Sequence, residues 1–130
     1  MSIRLLSAIA LVAAVTAPVA AEEECPSGFE ERIALLEHAP TCAKSRAAFA
    51  RCSYVASGDV GLSEVVIKKC EGDFLTKLST SQRQAYDRQQ QNCDRKYANQ
   101  SGTMYRAFAA FCRADLAKDY SRRFAKGPKS

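Results

Sequence analysis

The chain has 130 residues, of which 47% are hydrophobic and 25% charged, with a formal net charge of +5 and six cysteines. That length bounds it to one domain. Only one apolar stretch occurs, at the start, so nothing further along the chain reads as a membrane span.

Arg4 precedes an uncharged run, Leu5 to Ala21, that closes on Ala-Pro-Val-Ala-Ala before three glutamates. One positive charge, an apolar segment shorter than the roughly 20 residues a spanning helix needs, and small residues at its end describe a secretory signal peptide. The expected cut follows Ala21, giving a leader over residues 1–21 and a single disulfide-stabilised helical domain over 22–130, with residues 125–130 a frayed basic tail. No cysteine stands at the cut, so a bacterial lipid anchor is not indicated. An even number of cysteines in a small exported chain reads as a disulfide framework, because the compartment is oxidising. The expected location is therefore periplasmic or secreted.

Charge is uneven along the mature chain. Residues 22–37 hold six acids, Glu22, Glu23, Glu24, Glu30, Glu31 and Glu37, against Arg32 alone, a net of −5. Residues 38–130 hold 17 bases and eight acids, a net of +9. A basic body favours anionic partners, or is simply a well-solvated helical surface.

Helical spacing dominates. The first predicted helix spans Ser-Gly-Phe-Glu-Glu-Arg-Ile-Ala-Leu-Leu-Glu-His, with Ser27 and Glu30 as a capping box and Phe29, Ile33 and Leu36 on its inner face. Pro40 ends it. Thr41 caps a second helix, expected over residues 42–56, that aligns Cys42, Ser45, Phe49 and Cys52. Ser-Gly-Asp-Val-Gly, residues 57–61, reads as a break. Ser63 then opens a third helix with an inner stripe of Val66, Cys70, Phe74 and Leu78, which Gly72 weakens without ending. Ser79 and Gln82 form a capping box for a fourth helix, polar nearly all round, whose seam is Tyr86, Cys93 and Tyr97. After Ser101-Gly102, Thr103 caps a last helix with a broad stripe of Met104, Phe108, Phe111, Cys112, Leu116, Tyr120 and Phe124. The expected fold is all-α, a small bundle of four to five short helices stapled by disulfides.

In an antiparallel helix pair, residues equally far from the turn lie at the same height. Cys93 and Cys112 stand nine and ten steps from Gly102 and so face each other. Cys52 and Cys70 each stand nine steps from Gly61 and form a second expected pair. Cys25 and Cys42 are left as the third, although six cysteines permit 15 pairings.

No residue set assembles recognisable chemistry. The closest cysteines, Cys42 and Cys52, have nine residues between them, whereas structural zinc sites favour C-x2-4-C pairs. His38 is the only histidine, beside Pro40 and far from any Gly-x-Ser-x-Gly elbow. There is no C-x-x-C redox pair and no phosphate-binding loop, and Glu71 and Asp73 are two apart on a helix and do not converge. The basic pairs Lys68-Lys69, Arg95-Lys96 and Arg122-Arg123 are interspersed with acids, against a nucleic-acid stripe. No cofactor, no metal and no enzymatic role is expected.

The second half of the chain, Leu-Ser-Thr-Ser-Gln-Arg-Gln-Ala-Tyr-Asp-Arg-Gln-Gln-Gln-Asn-Cys followed by a Ser-Gly-Thr turn and Phe-Cys-Arg-Ala-Asp-Leu, resembles the LprI-type lysozyme inhibitor family. Gln82, Arg83, Cys93, Gly102, Cys112 and Leu116 occupy that family's positions, and Cys42 and Cys52 resemble its earlier cysteine pair, over residues 42–123 in all. The family's aromatic is displaced to Tyr86, the Asn before its second cysteine is missing, and Cys25 and Cys70 are additions. The resemblance implies an exported, non-enzymatic binding protein directed at a lysozyme-type muramidase. Because many lysozymes are basic, the acidic start would have to make the contact. The alternative is an envelope structural or stress protein whose basic surface associates with anionic cell-wall or membrane polymer.

Overall fold

The computed structural model describes residues 24–125, so the expected leader, Glu22, Glu23 and all but the first residue of the expected tail lie outside it. Five α-helices follow one another: α1 Phe29–His38, α2 Cys42–Cys52, α3 Gly58–Phe74, α4 Thr80–Tyr97 and α5 Thr103–Phe124, with a 3-10 turn at Leu75–Lys77. No strand occurs among the described residues, and the fold is the expected disulfide-stapled all-α bundle, although α3, α4 and α5, at 17, 18 and 22 residues, are long.

Side-chain contacts give the directions. Ser45 Oγ donates to the Leu36 carbonyl near the first turn, and Arg32 reaches the Cys52 carbonyl further out, so α1 and α2 are antiparallel. Arg46 pairs with Asp115 while Phe49 stacks on Phe111, setting α2 antiparallel to α5. Ser63 meets Ala110 and Asp73 meets Ser121, so α3 and α5 run parallel. The result is an up-down-up-down-up bundle with α3 at its centre, contributing Leu62, Val66, Ile67, Cys70 and Phe74 to the core.

Caps explain most boundaries. Thr41 Oγ1 accepts from the Lys44 amide, and Ser79 with Gln82 forms a reciprocal capping box, both as expected. Two caps differ. Gly28, not Ser27, occupies the cap of α1, and no side chain closes it. Gly102 caps α5 at φ +114°, a conformation that favours glycine, leaving Thr103 as the first helical residue.

The expected break at 57–61 is overturned. Residues 58–61 form the first turn of α3 with Ser57 as its cap, and the loop is Ser53–Ser57. Ser63 is accordingly no cap: it lies buried in mid-helix and donates to the Ala110 carbonyl at 2.7 Å. That contact from side chain to backbone requires α3 and α5 to approach closely, and the face of α5 turned inward permits it. Ala107, Ala110, Ala114, Ala117 and Ser121 recur every three or four residues and are buried. The expected aromatic stripe is therefore not the main core face. Met104 is 44% exposed, and Phe108, Phe111 and Leu116 are only half-buried, whereas Tyr120 is buried.

The disulfides are Cys25–Cys52, Cys42–Cys70 and Cys93–Cys112. The last is the expected pair. The expected Cys52–Cys70 and Cys25–Cys42 pairs do not form, because Cys52 ends α2 right beside the 53–57 loop while Cys70 lies deep in α3. All six cysteines are bridged, which indicates maturation in an oxidising compartment. No helix among the described residues is long and apolar enough to cross a membrane.

A polar chain ties α4 to its neighbours. Tyr86 Oη donates to Glu71 Oε1 at 2.8 Å and accepts from Gln90 Nε2 at 2.7 Å; Gln90 also bonds Arg113, which pairs with Glu64. Burial, reinforced by the Glu71 carboxylate, pushes the Tyr86 hydroxyl far above its ordinary range. The folded chain therefore keeps this proton at pH values where an unfolded tyrosine, with a pKa of about 10, loses it. Stability from this group is complete below about pH 10 and falls as pH rises beyond it. Denaturation midpoints measured from neutral to alkaline pH should show that fall. Tyr86→Phe should flatten it and cost about 1–2 kcal/mol at neutral pH.

Candidate protein-docking surface

Among the described residues, three of the four exposed large hydrophobic side chains gather at one end of the bundle: Phe29 at 38% exposure, Tyr54 at 63% and Val55 at 42%. They come from α1 and from the 53–57 loop. Cys25–Cys52 fastens the segment before α1 to the end of α2 and so brings the two together.

Arg32 organises the cluster. Its guanidinium lies 4.8 Å from the Tyr54 ring centre and 5.8 Å from that of Phe29, and it donates to the carbonyls of Gly28 and Cys52. The Phe29 ring rests on α3 where a side chain is absent. A Cβ at Gly61 would stand 3.0 Å from the ring's far carbon, and one at Gly58 would stand 3.7 Å from its edge. The glycines that look like a break in the sequence are thus a floor for an aromatic ring.

Asp59 shapes the loop. It is buried in the first turn of α3, where a carboxylate also suits the helix dipole, and its two oxygens accept from the Tyr54 and Ala56 amides at 3.2 and 3.1 Å. Between those two residues Val55 is held at φ +54°, a left-handed conformation that a β-branched residue rarely adopts. Such strain persists only where its surroundings impose it, and here it displays an apolar side chain to solvent. Asp59→Ala should leave both amides without their partner and cost about 1–3 kcal/mol, read by thermal unfolding. Faster hydrogen exchange at Tyr54 and Ala56 should accompany it.

Of the six acidic residues singled out by charge, Glu24, Glu30 and Glu31 are exposed at this same end, around Phe29 and Arg32. Glu37 is exposed too, but two helical turns from Glu30, about 10 Å along α1. There its carbonyl receives the Lys69 ammonium at 2.9 Å. Glu22 and Glu23 lie outside the described residues. The sequence pattern put Phe29 on an inner face and extended the second helix through Tyr54 and Val55, so their exposure went unforeseen. A carboxylate at residue 59, able to bond backward into Ser-Tyr-Val-Ala-Ser and to start a helix, was the available signal.

Among the described residues no group of three or more His, Cys, Asp and Glu side chains could hold a metal ion. Compared with known proteins, the chain matches no family model, no curated protein and no solved structure.

Proposed function

We propose that the chain is an exported, non-enzymatic binding protein that docks a basic protein through the Phe29–Arg32–Tyr54–Val55 surface, and that the partner is a lysozyme-type muramidase. The observation that carries this reading is the exposed aromatic cluster, fixed around one arginine and bordered by acids. Tyr and Arg are the residue types that concentrate binding energy at interfaces, and preorganisation lowers the entropy lost on docking. The disulfide and the Asp59 clamp supply that preorganisation. The acidic border selects a basic partner and steers its approach, while the basic remainder of the chain repels it elsewhere. The choice of a muramidase rests on the resemblance of residues 42–123 to LprI-type inhibitors.

The test is clearance of a bacterial cell suspension by a basic lysozyme, followed by turbidity with and without the mature protein. The protein should slow clearance. Tyr54→Ala should weaken inhibition roughly tenfold or more, as expected for an interface anchor. Glutamine at positions 22, 23, 24, 30, 31 and 37 together should weaken it mainly at low salt. Undiminished inhibition by that variant would remove the acidic segment from the interface, and no inhibition or binding at all would remove the muramidase. A second reading has its own observation: α4 and α5 together carry nine bases against four acids. Association with anionic envelope polymer through those helices should collapse at raised ionic strength, whereas a packed protein interface should largely persist.

A further inference from the structure

Two half-buried aromatics of α5, Phe108 and Phe111, line a groove. It lies along α4 and α5 beside the Cys93–Cys112 bridge and is open to solvent, with a volume of about 640 Å³, within the range of small-ligand sites. Tyr97, Phe108 and Phe111 line its apolar part. Phe111 is held from behind by stacking on Phe49 at 4.5 Å, and Phe108 by Tyr97 and Tyr105 at 5.9 and 6.1 Å, so the rings are fixed before any ligand arrives.

The polar lining narrows the ligand class. Asp115 is already answered by Arg46 at 2.8 Å and Asp119 by Arg122 at 3.5 Å, so the groove does not gather uncompensated acids for a cation. Lys96 is its single basic lining residue, too little for a polyanion. The remaining groups are neutral amides with unused capacity. Gln89 donates its Nε2 to Tyr120 Oη, and no described hydrogen bond takes up its Oε1. Asn92 accepts from Arg95 on Oδ1, and no described hydrogen bond takes up its Nδ2. The exposed Gln89 amide oxygen and Asn92 amide nitrogen therefore border the aromatic side chains.

We infer that this groove binds a neutral oligosaccharide. A pyranose ring offers an apolar face of C–H groups, which suits Phe108 and Tyr97, and an edge of hydroxyls that both donate and accept, which suits Asn92, Gln89 and the outer oxygens of Asp115 and Asp119. This site is distant in the chain from the Phe29–Tyr54 surface and does not depend on that surface's partner.

The experiment is a titration of the isotope-labelled mature protein, followed by its backbone amide resonances, with tri-N-acetylchitotriose and separately with cellotetraose. Shifts should be confined to residues 89–97 and 108–119 with at least one of the two sugars. The two arms separate an N-acetylated chain from a plain glucan. Phe108→Ala should weaken binding roughly tenfold. Asn92→Ala, at an exposed position that leaves the fold intact, should weaken it several-fold, so the test survives even if the first variant unfolds. Absence of groove shifts with both sugars at millimolar concentration would overturn the inference. So would shifts that Asn92→Ala leaves unchanged, or groove binding of a sulfated oligosaccharide with both neutral ones silent.

Discussion

Removing the Cys42–Cys70 bridge as the double variant Cys42→Ala/Cys70→Ala is expected to cost about 3–4 kcal/mol of unfolding free energy. The two residues are 28 apart, and closing a loop of that length in the unfolded chain accounts for an effect of this size in the chain-entropy description. The site offers no relief in the folded state. Cys42 and Cys70 are 5% and 0% exposed, at the contact between the start of α2 and the C-terminal part of α3. Loss of the sulfurs leaves a void in the buried apolar core to which both cysteines belong. A domain of this size is stabilised by only about 5–15 kcal/mol, so the change takes up a large share of it. In thermal melts the midpoint should drop by roughly 15–25 °C. Guanidinium titration should show the midpoint falling, with a slope that grows if the unbridged unfolded state expands. A loss below about 1 kcal/mol would mean that this bridge only decorates a core already closed by packing.

The same pair shows where the chain could be read and where it could not. The rule that bridged cysteines stand equally far from a turn holds for all three disulfides. Cys93 and Cys112 flank Gly102, Cys42 and Cys70 flank Ala56, and Cys25 and Cys52 flank His38 and Ala39. What failed was the position of one turn. Ser-Gly-Asp-Val-Gly has the composition of a break, and local propensity alone would make it one. Its glycines instead admit the Phe29 ring, a tertiary contact that leaves no local trace. Shifting the turn by a few residues exchanged two pairings out of three. The fourth helix was legible almost throughout, because Ser79, Gln82, Tyr86 and Cys93 act through local caps and an isolated apolar seam. The candidate docking surface was half legible: charge pointed to Glu24, Glu30 and Glu31, but Tyr54 and Val55 are displayed by a loop conformation that only Asp59 explains.

Helix α5 supplies the second large effect, because its apolar periodicity marks only part of the buried face. Tyr120 is buried and Phe111, Leu116 and Phe124 pack against the core from partly exposed positions, while the most buried face is built of small residues. Bulky residues at helical spacing usually mark the core, yet the face of α5 that Ser63 and Asp73 of α3 bond to is made of buried alanines and Ser121. Ala114 is fully buried on the face that does meet α3, between Ala110 and Ala117. Ala114→Leu adds three carbons where the neighbours cannot withdraw, since Ser63 is bonded to the Ala110 backbone and Ser121 to Asp73. The expected cost is about 2–3 kcal/mol, at the upper end for overpacked cores, with those two hydrogen bonds strained or lost. Met104→Ala, at a residue 44% exposed on the other face, should change stability by no more than about 0.5 kcal/mol. Denaturant titrations of the two variants separate the alternatives cleanly. If the aromatic stripe were the true core seam, the order would reverse, with the leucine tolerated at 114 and the truncation at 104 costly. The small-residue seam also leaves Phe108 and one side of Phe111 to line the groove, so the choice of face that sets the stability of α5 is the same choice that shapes the groove.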